Sequence, residues 1–128
     1  MKWITHIVST FCLIVVLAKY ISITYLGFTI ALTMAIFPDW FESVCGFKHR
    51  SKYIHNIIIP AATSFLIIHP TLSGFGIGYG HHLLIDATTR YGVYFGNKRI
   101  KGILNTYNLA HNALIIFVHV LLVFLTVF

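Results

Sequence analysis

Five apolar segments make up most of this sequence, and basic or proline-containing stretches separate them. The segments cover approximately residues 3–18, 21–37, 54–69, 72–89 and 109–128. Only 9% of the residues are charged and 58% are hydrophobic, whereas a soluble domain carries roughly 25% charged residues. The sequence therefore predicts one all-α domain spanning residues 1–128, a polytopic membrane helix bundle of about five transmembrane helices.

The distribution of basic residues predicts how such a bundle is oriented. If five helices cross, the N-terminus and the loops 38–53 and 90–108 lie on one side, with Lys2, Lys48, Arg50, Lys52, Arg90, Lys98, Arg99 and Lys101. The other side has only Lys19. By the positive-inside rule, a multi-pass protein of the cell membrane has a cytosolic N-terminus and cytosolic long loops. Because the basic residues follow no helix face, a nucleic-acid partner is not expected.

Histidines and carboxylates collect at the predicted cytosolic side. His82 and Asp86 are four residues apart, so on a helix they share one face. The predicted topology brings six such residues to one membrane depth, namely His6, Asp39, His49, His55, His82 and Asp86. Mixed imidazole and carboxylate ligands favour a divalent metal ion, with zinc preferred and manganese or iron as alternatives. Four ligands would hold one ion, whereas five or six could hold two.

A metal site at the headgroup level predicts a chemistry and a substrate class. A bound ion with an open position activates water and polarises a carbonyl or phosphoryl oxygen. Arg50 offers the planar guanidinium that suits phosphate or carboxylate groups. We therefore expect a membrane lipid or a lipid-linked compound as substrate, and we assign Asp39, Arg50 and Asp86 to catalysis.

Several short motifs carry a family resemblance from His6 to about Val93. They are Thr5-His6, Phe37-Pro38-Asp39, His49-Arg50, His55-Asn56 and Gly78-Tyr79-x-x-His82-x-x-x-Asp86-x-x-Thr89-x-x-Gly92-Val93. This set resembles the YdjM-like family of membrane-bound metal-dependent hydrolases. The resemblance implies metal-dependent hydrolysis by a polar site made of the six residues above. The chain departs from the family pattern in having one extra residue between His49 and His55, Glu42 after Phe41, and Asn56 in place of a serine.

Other polar and small residues have structural interpretations. His81 points away from His82 and is expected to pack or to hydrogen-bond, and His119 needs a hydroxyl or imidazole partner. The pairs Gly74/Gly78 and Gly76/Gly80 predict close helix approach. Four polar residues near the start of the last segment either orient the metal ligands or cap that helix, and these are Asn105, Asn108, His111 and Asn112.

Two other functions compete with hydrolysis. In the first, the protein is a non-enzymatic scaffold or pore whose His/Asp cluster only holds helices together. In the second, it carries haem b between His82 and His6 or His111. The carboxylates argue against haem, because axial ligation has no use for them.

Overall fold

The computed structural model describes residues 2–63, 66 and 68–128. Within them the chain forms six helices and one small sheet, in the order α1 (Trp3–Leu17), α2 (Tyr25–Met34), α3 (Phe37–Cys45), α4 (Ile58–Ala62), α5 (Ser73–Ala87), β1 (Val93–Phe95), β2 (Lys98–Ile100) and α6 (Leu109–Val127).

The prediction of about five transmembrane helices is wrong. In the described part of the chain, only α6 is by itself long and apolar enough to cross a membrane. The pair α2 and α3 passes the same test only when taken together, with a bend of 52° between the two helices. Helices α1 and α5 have 15 residues each, fewer than the roughly 20 that a perpendicular span needs. The cytosolic position of the N-terminus depends on five membrane crossings, and the structure does not support five.

Pro38 and Gly46 explain where α3 begins and ends. Pro38 occupies the first turn of α3, where a residue without an N–H group is tolerated and where a new helix often starts. Gly46 ends α3 with a φ of 69°, a left-handed conformation that favours glycine. Among its described residues, the third segment forms the short helix α4, and residues 64, 65 and 67 of that segment lie outside the described residues.

Helices α2 and α5 pack with their backbones in close approach. A Cβ atom added at Gly74 would collide with the carbonyl oxygen of Gly27, and one added at Gly78 would collide with that of Ala31. Gly76, in contrast, has only an ordinary neighbour, the Thr63 oxygen at 3.7 Å from an added Cβ. The predicted close helix approach is thus confirmed for the Gly74/Gly78 line, whereas Gly76 and Gly80 face looser surroundings.

The second basic loop contains a β-hairpin that the sequence interpretation missed. Strands β1 and β2 are antiparallel, with Phe95 opposite Lys98, and Gly96 has a φ of 60° in the two-residue turn. A glycine in such a turn between short strand-forming runs is a hairpin signal. The hairpin positions the site, because the Tyr94 N–H donates to the His55 carbonyl at 2.7 Å and the Ile57 N–H donates to the Tyr94 carbonyl at 2.8 Å.

Helix α6 lies along α1 and leaves most of its surface uncovered. Lys19, just after α1, donates from Nζ to the Thr126 carbonyl near the end of α6. Only 6% of the 18-residue apolar window of α6 is buried. Its exposed large side chains include Leu114, Phe117, Val118, Leu121, Phe124 and Leu125.

The contact between α2 and α5 generates a prediction about stability. Gly74→Ala should lower the free energy of unfolding by about 1–3 kcal/mol, because the new methyl group meets backbone that cannot move aside. Gly76→Ala is the matched control on the same helix, and it should be neutral or stabilising by up to about 1 kcal/mol, because alanine favours helix more than glycine does. Thermal unfolding followed by far-UV circular dichroism compares the two variants. Equal stabilities would contradict the close contact.

Candidate metal centre

Four side-chain donors converge at the centre of the molecule. They are His82 and Asp86 from α5, Asp39 from α3, and His55 from the segment before α4. One ligand atom from each lies within 4.8 Å of the others. His55, His82 and Asp86 are fully buried, and Asp39 is 7% exposed. This group could hold a metal ion, which agrees with the prediction that these four residues belong to a metal site.

The separations between donors match those around a small divalent cation. His55 Nε2 lies 3.2 Å from His82 Nε2, 3.3 Å from Asp39 Oδ1 and 3.4 Å from Asp86 Oδ2. His82 Nε2 lies 3.4 Å from Asp86 Oδ2 and 3.9 Å from Asp39 Oδ1. In a tetrahedron with ligand distances of about 2.0–2.2 Å, as for zinc, neighbouring donors are about 3.3–3.6 Å apart. The separations among His55, His82 and Asp86 and that between His55 and Asp39 are close to this spacing, whereas the His82–Asp39 separation is longer.

Both imidazole rings are fixed by hydrogen bonds on their outer nitrogens. His82 Nδ1 donates to the Ala35 carbonyl at 2.7 Å, and His55 Nδ1 lies 2.8 Å from Glu42 Oε1. Since a carbonyl or carboxylate only accepts, each Nδ1 carries the proton, and a neutral ring then directs the lone pair of Nε2 inward. Metal-binding histidines are commonly oriented by such partners.

Without an ion, a proton must occupy the space between these groups. Burial alone would lower the pKa of His55, but its contacts with Asp39, Asp86 and Glu42 outweigh burial and raise that pKa to about 10. Burial alone would likewise raise the pKa of Asp39 and Asp86, whereas their contacts with His55 outweigh it and lower both. The centre thus combines ionised carboxylates with a cationic imidazole, whose charge a metal ion would replace.

Glu42 organises the segment that delivers His55. Besides contacting His55, it accepts hydrogen bonds from the Arg50 N–H at 2.5 Å and from the Ser51 N–H at 2.8 Å. Arg50 has a φ of 58°, a left-handed conformation that is uncommon for a side chain of this size. The sequence raised Glu42 only as a departure from a family pattern. Its spacing of three residues from Asp39, one turn of the same helix, is the signal that could have identified it.

Arg50 is buried and bound to protein partners. Its guanidinium donates to Asp86 Oδ1 at 2.7 Å and to Thr89 Oγ1 at 2.6 Å, and it lies 5.4 Å from the centre of the Tyr91 ring. These bonds occupy the groups that the sequence assigned to substrate recognition. The geometry instead supports Arg50 as a residue that positions Asp86.

His6 and His49 lie at the edge of the four-donor group and do not belong to it. The His6 ring stacks on His82 with 4.1 Å between ring centres, and its Nε2 is 3.4 Å from Asp86 Oδ1. The His49 side chain is 55% exposed, with Nδ1 3.8 Å from Asp39 Oδ1 and 3.7 Å from Glu42 Oε2. All six predicted ligands are therefore neighbours, with His49 forming a second, outer group with Asp39 and Glu42.

His81 and His119 form a separate network. His81 Nε2 lies 2.9 Å from His119 Nε2, His81 Nδ1 lies 2.8 Å from Thr10 Oγ1, and His119 Nδ1 donates to the Ile115 carbonyl at 2.8 Å. This arrangement confirms that His81 serves packing and hydrogen bonding, and that His119 has an imidazole partner. The network joins α1, α5 and α6.

The polar residues that begin α6 divide between the two roles left open by the sequence. Asn108 caps the helix, since its Oδ1 accepts from the N–H groups of Ala110 and His111. His111 Nδ1 accepts from the Asn105 N–H at 2.8 Å. Asn112 is buried and binds Thr5 next to His6, with Thr5 Oγ1 donating to Asn112 Oδ1 at 2.7 Å. Asn112 thereby holds the α1 segment that carries His6.

No protein-family model, curated protein or solved structure matches this chain. The resemblance to YdjM-like hydrolases stays a prediction drawn from the motifs.

Metal binding should release protons. At pH 8 the metal-free His55 is protonated, because its pKa is about 10, and it must be neutral to bind an ion. We expect roughly one proton released per ion and tighter binding as the pH rises toward 10. Calorimetric titrations in buffers with different ionisation enthalpies measure this number. Binding without proton release would contradict the role given to His55.

Removal of the charge behind His55 should weaken metal binding. Glu42→Gln keeps the shape of the side chain but loses the carboxylate that orients His55, so metal affinity should fall by about 10–100-fold. Cys45→Ser, an exposed position on the same helix, is the control and should leave affinity unchanged. Competition with a chromophoric chelator measures both. Equal affinities would show that Glu42 does not support the ligand.

Proposed function

We propose that the chain binds a zinc ion through Asp39, His55, His82 and Asp86 and uses it to hydrolyse a membrane-associated ester or phosphoester. The observation that carries the proposal is the pair of inward nitrogens of His55 and His82, 3.2 Å apart. Their outer nitrogens are both bound as donors, so the space between the two inner nitrogens holds either the proton of a cationic His55 or a metal ion, which would take the place of that proton. Two imidazoles and two carboxylates are a ligand set that zinc accepts, with manganese or iron as alternatives.

A route into the centre supports catalysis over a purely structural ion. Asp39 lines a cavity of about 400 Å³ together with His49, so one ligand of the centre borders space that a substrate could enter. With all four protein donors bound, a zinc ion would need a fifth position facing this cavity to supply Lewis acidity and lower the pKa of a water molecule, and zinc sites can expand to five ligands. The protein contributes the orientation of His55 and His82, the positioning of Asp86 by Arg50, and the exclusion of bulk water from the buried side.

Helix α6 supports a membrane-associated substrate. It has 19 residues and a mean hydropathy of 2.2 in its apolar window, and at about 1.5 Å per residue it approaches the thickness of a bilayer core. Its largely uncovered apolar surface would be costly in water. We therefore propose that α6 anchors the protein in the cell membrane.

A structural ion is the second candidate, and the burial of the donors favours it. Three of the four donors are fully buried, as in closed structural sites, and they tie α3, the His55 segment and α5 together. This alternative corresponds to a non-enzymatic membrane protein. It predicts that chelation lowers thermal stability while no ester is hydrolysed by the loaded protein.

The arrangement of rings does not favour haem. Axial ligation requires two imidazoles that direct a nitrogen at iron from opposite sides, whereas His6 and His82 stack face to face.

Paired substitutions on α5 test the metal proposal. His82→Ala should reduce bound zinc below about 0.1 ion per chain, because the loss of one of four ligands opens the site. The neighbouring His81→Ala should retain about one ion, because His81 contacts Thr10 and His119 and not the centre. Asp39→Asn, at the exposed edge of the centre, is a second variant in case His82→Ala does not fold. Elemental analysis of the purified proteins measures the metal content.

Hydrolysis is measured on the same proteins. Zinc-loaded wild type and His81→Ala should hydrolyse ester or phosphoester lipids in vesicles, and His82→Ala and Asp39→Asn should not. Absence of metal from the loaded wild type would overturn the whole proposal. Bound metal without turnover on either lipid class would leave the structural ion as the function.

A further inference from the structure

The cavity beside the centre has a distinct chemical character. It lies on the Asp39 side, and its lining includes Lys2, Trp3, His49, Thr106 and Tyr107. Among its lining residues Asp39 is the one carboxylate, and its Oδ1 faces the centre, 3.3 Å from His55 Nε2. The remaining polar lining consists of a lysine, a histidine and hydroxyl groups, which suit a ligand that carries negative charge.

Thr106 supplies an unused hydroxyl group. The residue is more than nine-tenths buried, and its Oγ1 has no hydrogen-bond partner among the described residues. A buried hydroxyl without a partner costs free energy, and Thr106 belongs to the cavity wall, so a ligand in the cavity would recover that cost if the side chain rotated to hydrogen-bond with it.

Asn112 joins the two walls that carry Lys2 and Thr106. Its Oδ1 accepts from the Lys2 N–H at 3.1 Å, and its Nδ2 donates to the Thr106 carbonyl at 2.9 Å. Asn112 is only 3% exposed. A buried amide with bonds to both segments fixes their separation, so the cavity is built by the fold and is not an accidental gap.

We propose that this cavity binds the phosphate group of a phosphoester, between the metal centre and the side chains of Lys2 and Thr106. The proposal rests on the proposed function and specifies its substrate class. A neutral carboxylic ester has no use for a lysine, whereas a phosphate group presents several acceptor oxygens and a charge that lysine matches as a point charge. The metal ion and Lys2 would then contact the phosphate from two sides.

The phosphate could belong to a lipid headgroup or to a water-soluble ester. Trp3 is 48% exposed and Tyr107 is 73% exposed, and both flank the cavity at the beginning of helices α1 and α6. Exposed aromatic residues next to an apolar helix are common at the headgroup level of a membrane. The chemistry of recognition is the same for the two sources, and the experiment separates them.

Inorganic phosphate is the first probe, titrated calorimetrically into the zinc-loaded full chain. Lys2→Met and Thr106→Val should each weaken binding by about 10–150-fold, the loss expected for one hydrogen bond to a charged group. The controls are Lys52→Met and Thr33→Val, both exposed and away from the cavity lining, and they should bind phosphate as wild type does. Zinc content should be the same in all five proteins.

Zinc content distinguishes failure of the phosphate proposal from failure of the metal proposal. A chain that holds zinc but does not bind phosphate, or variants that bind phosphate as tightly as the controls, would overturn the phosphate site while the metal proposal stands. A chain that holds no zinc overturns both. In a second arm, soluble glycerol phosphate is compared with vesicles that contain phosphatidic acid. Stronger binding to the vesicles supports a lipid headgroup, and equal binding supports a soluble phosphoester.

Discussion

The close packing of α2 against α5 is the constraint on which the centre depends. Small residues recur every four positions along both helices, with Gly27, Ala31 and Ala35 on α2 facing Gly74 and Gly78 on α5. The next position along α5 is His82, which donates to the Ala35 carbonyl. Because the backbones approach so closely, a carbonyl of one helix can serve as the hydrogen-bond partner of a histidine on the other. The fold thereby sets both the place and the orientation of a metal ligand.

The position of His55 in the centre depends on hydrogen bonds and not on helix packing. His55 stands in a segment of irregular structure, and such a segment has no helix to fix its side chains. Glu42 holds the backbone at Arg50 and the ring of His55, while Tyr94 of β1 bonds the backbone of His55 and Ile57, on either side of Asn56. Arg50 links this segment to α5, because its guanidinium donates to Asp86. The α2–α5 pair, helix α3 and the hydrogen-bonded segment around His55 thus bring the four donors together.

The four donors differ in how close they lie to the cavity. His82 and Asp86 on α5 are fully buried, as is His55, and Asp39 borders the cavity between the starts of α1 and α6. Asn112 fixes the width of that cavity by joining the Lys2 and Thr106 segments. The uncovered apolar surface of α6 begins beside the cavity. In the proposed function, the anchor in the membrane and the opening of the centre therefore lie close together.

The sequence by itself determined which residues could form the centre, because histidines and carboxylates are so rare in an apolar chain that their spacing is informative. The His82/Asp86 pair and the glycine line at Gly74 and Gly78 follow from helical periodicity, and the pairing of His119 follows from the cost of an unpaired imidazole in an apolar segment. Only the tertiary structure decided the number of long helices, the hairpin after α5, and the separation of the four inner donors from His6 and His49. These features depend on where the chain bends and on contacts between distant segments, such as Arg50 with Asp86, which the apolar pattern does not encode.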